Sequence, residues 1–329
     1  MPSLNPVVAE IHLAVRNALT ALPDGATVIV GLSGGADSLA LTAATVFEAR
    51  PRGIRVLSLT VDHQLQDGSD DVAATAAVSA ERLGVDDAAQ TKVDVSAVDG
   101  IEAGAREARY AAIRRMAVSE GAAAVLLGHT LDDQAETVLL GLARGSGAAS
   151  MQGMAPVRED DDGLRWMRPL LGVRRATTRA FCAASDLEFW DDPHNLDLRF
   201  ARVRVRERAL PVLEGELGPG IAEALARTAE QLREDAEAFD EMIHETIEDI
   251  VEHAEAGISV SVAALAANPA ALRNRIIRLI VDSEFGVSLT RLQTLEVARL
   301  ATDWAGQGPI DLPACSARRT GGQIVFAAR

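Results

Sequence analysis

The sequence predicts an α/β protein in two parts, a parallel-sheet N-terminal domain over residues 1–213 and a smaller, mainly helical C-terminal domain over residues 214–329. Three observations carry that reading. Short apolar runs alternate with helical patterns through the first half, which implies a parallel sheet covered on both faces. A Pro- and Gly-rich stretch at 210–220 then reads as a linker. Beyond it, apolar residues recur at helical spacing on an otherwise acidic segment.

Taken in order, the apolar run at 27–32 is the first strand, and a helix starts near Asp37. Runs at 55–61 and 91–95 are the next strands, and the pattern at 104–120 is a helix. The run at 124–128 is a further strand, followed by a helix from about Asp132. Past the linker, Ile221, Leu225, Leu232, Phe239, Ile243, Ile247 and Ile250 mark one face of a long amphipathic helix. Asn268 as N-cap with Pro269 at the first helical position announces another helix, and the tail folds as a short hairpin about Gly321 and Gly322.

Composition removes several classes of function. Of 329 residues, 48% are apolar and 24% charged, the balance of a folded globular protein. An apolar run such as 122–127 is far shorter than the roughly 18 residues of a membrane span. The first residues show no basic segment followed by an apolar block, so no signal peptide, no membrane association and a cytoplasmic location are expected. Two cysteines, Cys182 and Cys315, exclude a disulfide framework and a C-x-x-C metal or dithiol site. The net charge of −16 is concentrated: residues 221–256 hold 12 acids and two bases, a local −10. Residues 165–208 hold 10 Arg against 6 acids, a local +4, and residues 257–329 hold 8 Arg against 5 acids, a local +3. A polyanionic partner therefore remains open, because nucleic-acid binding follows local patches. With 7 Phe, 3 Trp and 1 Tyr, extended base stacking is not the expected mode.

The sharpest motif is Ser-Gly-Gly-Ala-Asp-Ser at 33–38, following the first strand and opening a helix. Gly34 and Gly35 let the backbone approach a ligand, and the N–H groups of Ala36 and of the helix start point at an anion. A phosphate is the expected occupant, with Ser33 and Ser38 as hydroxyl donors and Asp37 where a Mg²⁺-bound pyrophosphate would sit. No Gly-Lys-Ser/Thr follows, so this is not a Walker loop. Arg106 and Arg109, three apart in a helix, put two guanidinium forks on one face, a geometry suited to phosphate. Gly-His-Thr-Leu-Asp-Asp-Gln-Ala-Glu spans 128–136, and Asp133 and Glu136 share a face at a helix start where they can hold Mg²⁺ or an ammonium group. Helix capping is the competing role, assigned to Asp132. His129 is the lone nitrogen ligand nearby, which argues against zinc.

Together these segments resemble the PP-loop ATP pyrophosphatases, adenine nucleotide alpha hydrolase-like enzymes that cleave ATP between the α and β phosphates. The resemblance extends to Val-Asp-His-Gln-Leu-Gln at 61–66, with Gln66 where Arg is usual, and Glu-x-x-Ala-Arg-x-x-Arg-Tyr at 102–110. It also takes in Arg-Gly-Ser-Gly at 144–147 and Arg-Pro-Leu-Leu at 168–171. Asp-Asp-Pro-His-Asn at 191–195 has His194 in place of Ser, and the run Arg202-Val-Arg-Val-Arg206 has Val203 in place of Asn. Within that group the chain is similar to the lysidine-forming branch of tRNA-modifying enzymes, carbon–nitrogen ligases that form AMP. The resemblance implies ATP and Mg²⁺ as cofactors, with free L-lysine and the isoleucine tRNA of anticodon CAU as partners. It implies catalytic roles for Asp37, Arg106, Asp133 and Glu136, and metal binding by Asp37 and Asp133. Nucleotide binding falls to Ser33, Gly34, Gly35, Ala36, Asp37, Ser38, Asp62, His63, Gly128 and His129. Arg199, Arg202 and Arg206 share a face if their stretch is helical, either toward RNA or toward solvent. A PP-loop tRNA thiolase, an amidotransferase-linked synthetase and a nucleotide sensor are the alternatives. The sequence leaves the oligomeric state open, a homodimer included.

Overall fold

The computed structural model describes residues 5–64, 68–94, 101–145, 147–254 and 257–329. Gln66 and Ser146 lie outside these residues, as do the side chains of Glu102, Glu248 and Asp249. The chain divides into two compact units, residues 1–233 and 234–329.

Unit 1 begins with α1 (Pro6–Leu19), which the strand-and-helix alternation did not announce. Its start is nonetheless marked, since Asn5 accepts from the Val7 N–H and Pro6 takes the first position. There follow β1 (Thr27–Gly31), α2 (Ala36–Ala49), β2 (Arg55–Asp62), α3 (Ser69–Leu83) and β3 (Asp87–Lys92). Next are α4 (Ile101–Ser119), β4 (Ala124–Leu127), α5 (Leu131–Arg144) and α6 (Ala148–Met151). A hairpin of β5 (Val157–Glu159) and β6 (Arg165–Met167) precedes α7 (Arg175–Ala184), α8 (Ala201–Arg204) and α9 (Leu210–Leu217). A π-helical turn, Val205–Ala209, joins α8 to α9.

The strands order as β3-β2-β1-β4-β6-β5, parallel except for β5 at one edge. β1 lies between β2 and β4, with Val28 opposite Val56 on one side and Ala124 on the other. The chain leaves β1 toward β2 and returns on the other side at β4, so the carboxyl ends of β1 and β4 form the switch point where ligands bind in such sheets. Val28, Ile29 and Val30 are fully buried. α2 is covered by the sheet, α1 and α7, so even Thr42 and Thr45 are buried and turn their hydroxyls back onto helix carbonyls.

Two readings are corrected here. The third strand starts four residues earlier than expected and ends three earlier, because β3 is an exposed edge whose pairing with β2 rests on backbone bonds and not on an apolar pattern. The stretch 210–220 is mostly the helix α9: Pro211 sits in its first turn, where a missing N–H costs nothing. Its breaking residues act only at the end, where Gly218 and Gly220 take φ of 96° and 95° and Glu214 accepts from Gly220 and Ala222 N–H.

The long helix α10 (Ile221–Ile250) forms as the spacing requires, and the division between the units falls inside it. Unit 2 continues with β7 (Val251–Ala254), β8 (Gly257–Ser261), α11 (Val262–Ala267), α12 (Ala270–Phe285) and α13 (Arg291–Thr302). It ends with β9 (Ile310–Asp311), β10 (Cys315–Thr320) and β11 (Gln323–Ala328). Pro269, not Asn268, is the N-cap of α12. The expected hairpin is β10–β11, and it forms part of a five-stranded antiparallel sheet, β7-β8-β11-β10-β9. Ile276, Ile277, Ile280, Val281, Val297 and Phe326 build the core of this unit. Among the described residues no helix is long and apolar enough to cross a membrane.

Candidate active site

The glycine-rich turn joins β1 to α2. Gly34 has φ of 80°, a left-handed conformation that a side chain opposes, and its carbonyl accepts from the Trp190 N–H at 3.0 Å. Gly35 is the N-cap of α2 and has no side chain to cap with, leaving the first N–H groups of the helix to a ligand. Ser38 Oγ accepts from the Ser33 N–H at 3.1 Å, lies 3.1 Å from Ser33 Oγ, and donates to the Gly35 carbonyl at 2.9 Å. The loop is thus braced by its own hydroxyls. Gly128, just past β4, has a role the sequence did not reveal. A Cβ there would lie 3.2 Å from the backbone of Asp37 and Ser38, so glycine lets the phosphate-loop helix close onto the neighbouring strand end.

The carboxylates Asp37, Asp133 and Glu136 converge on one side chain, that of Arg175 at the first position of α7. Arg175 Nε lies 3.6 Å from Asp37, and its Nη2 lies 2.7 Å from Asp133 Oδ1 and 3.3 Å from Glu136 Oε1. Arg206 adds contacts of 2.7 Å to Glu136 Oε1 and 3.6 Å to Asp133 Oδ1, and Arg202 lies 3.7 Å from Glu136 Oε2. Glu136 is fully buried. Thr178, one turn into α7, donates to Asp37 Oδ1. Burial pushes the Asp37 carboxyl above its ordinary range and Asp133 pushes the same way, while Thr178 and Arg175 oppose the rise. For Asp133 burial is outweighed: Arg175 and the Thr130 bonds hold its carboxyl below the ordinary range.

The cap of α5 reverses the sequence assignment. Thr130 is the N-cap, and Asp133 completes a capping box by accepting from the Thr130 N–H and hydroxyl, both at 2.8 Å on Oδ2. Its other oxygen faces Arg175. Asp132 instead accepts from the Arg175 N–H at 2.8 Å and pairs with Arg174 at 3.3 Å, tying α5 to α7. Arg202 and Arg206, grouped with Arg199 on an RNA or solvent face in the sequence, turn inward to Glu136. Arg199 is apart from them, paired with Asp197 at 2.7 Å.

The remaining expected residues stand at the ends of β2 and β4, on either side of β1, and Arg109 acts through space on both His63 and His129. Asp62 is buried, with Oδ1 accepting from the Gln64 N–H, while Asp62 Oδ2, His63 Nδ1 and His129 Nδ1 have no hydrogen-bond partner among the described residues. Burial lowers His129 to about 3, and burial also lowers His63. Arg106, Arg109 and Arg168 act on His129 through space, so α4 and the segment after β6 turn positive charge toward this edge. Sequence reasoning missed Arg175 and Thr178. No local signal marks them, because their function is to reach elements about 40 and 140 residues back in the chain.

Among the described residues no group of three or more His, Cys, Asp or Glu is placed to hold a metal ion. Asp37 and Asp133 sharing one cationic partner nonetheless suit Mg²⁺, which takes one or two carboxylates alongside substrate phosphates and keeps its remaining waters.

This combination of an uncapped helix start at a sheet's switch point with facing acids defines a nucleotide-binding domain of the PP-loop class, and residues 9–213 match the PP-loop domain family. Residues 261–325 match the TilS substrate binding domain. Curated relatives named tRNA(Ile)-lysidine synthase include one from Leifsonia xyli subsp. xyli, 57% identical over 306 residues that cover 93% of this chain and 91% of that protein. Another, from Thermobifida fusca, is 46% identical over 326 residues, 98% of each. The chain belongs to the tRNA(Ile)-lysidine synthase family. Its fold is shared with the U34-tRNA thiolase NcsA from Methanococcus maripaludis, at a TM-score of 0.58 and 19% identity over 69% of this chain and 80% of that one.

Proposed function

We propose that the chain joins lysine to carbon 2 of the wobble cytidine of the isoleucine tRNA with anticodon CAU. ATP and a tRNA are the substrates that the family and its PP-loop domain bring with them. Lysine, the particular tRNA, Mg²⁺ and a cytoplasmic setting complete the reading. In the first step the cytosine O2 attacks the α-phosphate and pyrophosphate leaves. In the second, the lysine ε-amine attacks that carbon, the C2–O bond breaks and AMP departs with the oxygen.

The residues support each step. The Ser33 to Ser38 turn and the start of α2 offer donors to the departing pyrophosphate, a preorganised array where charge develops. Mg²⁺, held by Asp37 and Asp133, would neutralise phosphate charge. Arg106 faces the adenylate from α4. An ammonium group with a reference pKa of about 10.4 must lose a proton before it attacks. Asp133, held below the ordinary carboxylate range, stays ionised and suits binding a cation more than accepting a proton. His129, at about 3, is neutral through the working range and is also a poor base. That leaves Glu136 to receive the amine, in place of the guanidinium groups that now face it. The target base lies in an unpaired loop, so presenting it costs little beyond unstacking.

The observation that carries the reading is the convergence of Asp37, Asp133 and Glu136 beside the phosphate loop. Incorporation of radiolabelled lysine into that tRNA by purified protein and ATP is the test. Pyrophosphate release without lysine transfer would favour another PP-loop tRNA modification, and no ATP turnover would favour a nucleotide sensor.

A further inference from the structure

Tyr110 is the single tyrosine in the chain, and it sits where two guanidinium groups meet. Arg106 Cζ lies 4.7 Å from the centre of the Tyr110 ring, and Arg106 Nη2 donates to the phenol oxygen at 3.2 Å. Arg168, buried at 6% exposure, donates to the Ala155 carbonyl at 2.7 Å, and it is attracted by Tyr110 and repelled by Arg106 through space. The ring is stacked on Trp166, with centroids 4.9 Å apart and planes inclined by 27°. Trp166 is buried beneath Arg158, 5.5 Å from its centroid, and its indole N–H donates to Asp160 Oδ2 at 2.8 Å. Arg114 donates to the same oxygen, and Arg158 lies 3.0 Å from Asp160 Oδ1. A column therefore runs from an anchored carboxylate through two stacked rings to the guanidinium of Arg106.

The chemistry of this holder matters. Arg106 is exposed, and a free arginine side chain has considerable rotamer freedom. A carboxylate partner would fix it but would also satisfy its charge and compete with a phosphate. A phenol fixes it through the negative ring face and one neutral oxygen, leaving the charge unspent.

We propose that Tyr110 is the positioning residue for the phosphate-facing arginine, orienting Arg106 without neutralising it. The proposal rests on the reading that Arg106 acts on the reacting phosphate. It assigns Tyr110 a role in turnover beyond its packing against Trp166.

A double-mutant cycle tests it in the full chain, with kcat and KM for ATP read from pyrophosphate release at saturating tRNA and lysine, and thermal midpoints measured alongside. Tyr110→Leu should lower kcat about tenfold or more while leaving KM for ATP within about twofold, the loss expected when an oriented cation contact goes. Tyr110→Phe, which keeps the ring but loses the phenol oxygen that Arg106 donates to, should recover only part of that loss and leave kcat about threefold below wild type. In an Arg106→Gln background neither substitution should lower kcat further. Multiplying losses in the double variants would overturn the proposal, as would wild-type kcat in a folded Tyr110→Leu protein. If Tyr110→Leu does not fold, Tyr110→Phe alone and with Arg106→Gln still decides: an effect that vanishes in the Arg106→Gln background supports the proposal, whereas no effect or an additive one overturns it. Normal turnover by Arg106→Gln alone would instead sink the reading of Arg106 itself.

Discussion

Replacing Glu136 by Gln removes one charge and almost no volume from the most enclosed acid of the site. Its carboxylate takes hydrogen bonds from Arg206 at 2.7 and 3.1 Å and from Arg175 at 3.3 Å, with no solvent exposure. Glutamine keeps one acceptor but turns an NH₂ toward a guanidinium, so at least one charge-assisted bond, worth about 1.5–3 kcal/mol, becomes a clash of donors. Losing one partner of a buried pair costs about 3–5 kcal/mol in general. Here Asp133 remains 2.7 Å from Arg175 and 3.6 Å from Arg206 to take up part of the charge, which places the cost near the lower end, about 3 kcal/mol. At about 2–4 °C per kcal/mol for a unit of this size, the thermal midpoint should fall by about 6–12 °C. Lysine transfer, assayed well below that midpoint, should fall more steeply than folding, by about 100-fold or more, in line with losing a preorganised charge contact. Scanning calorimetry and radiolabelled lysine transfer on the same preparation check both. An unchanged midpoint would refute the energetic reasoning about the arginine cluster, and normal transfer by a folded variant would refute the role of Glu136.

Asp37→Asn should behave oppositely: burial already disfavours its charge, so stability should stay within about 1 kcal/mol while AMP formation falls about 100-fold or more. Near wild-type AMP production by the folded variant would reject it. His129 is held neutral by burial, at about 3 when folded against about 6.5 when unfolded. The unfolded chain therefore takes up a proton that the folded chain refuses, and stability present above about pH 6.5 is lost as pH falls toward 3, with a slope of up to about 1.4 kcal/mol per pH unit. His129→Gln should flatten midpoint against pH between 6.5 and 5, and an identical curve would contradict this. For tRNA, Arg204 and Arg208 are exposed whereas Arg202 and Arg206 face Glu136. Neutralising Arg204 and Arg208 together should flatten the salt slope of binding by about one to two. A flatter slope only when Arg202 and Arg206 are neutralised would return those two to the RNA.

How much of this was readable depends on the range over which each feature is specified. The phosphate loop, the Gly-His motif and the long helix at 221–250 were legible, because each is written in a few adjacent residues or one repeat of spacing. The edge strand β3 was misplaced because its sequence, Asp-Ala-Ala-Gln-Thr-Lys, carries no face to bury. α9 was hidden by prolines and glycines that act only at helix ends. The cap went to Asp132 because two adjacent acids look alike until Thr130 and Arg175 each claim one of them.

The sequence by itself determined the parallel-sheet class, the nucleotide loop, the acids Asp37, Asp133 and Glu136 and the family resemblance, since local patterns of polarity, glycine and turn chemistry suffice for these. Tertiary structure alone decided which cations meet those acids. Arg175 and Thr178 come from α7, and Arg206 from the π-helical turn, and all three reach Asp37 or the start of α5 only after the sheet has closed. It also decided why position 128 is glycine and that Tyr110 stands between Arg106 and Trp166. Both depend on distances between elements far apart in the chain, and a pairing through space leaves no periodicity in either partner.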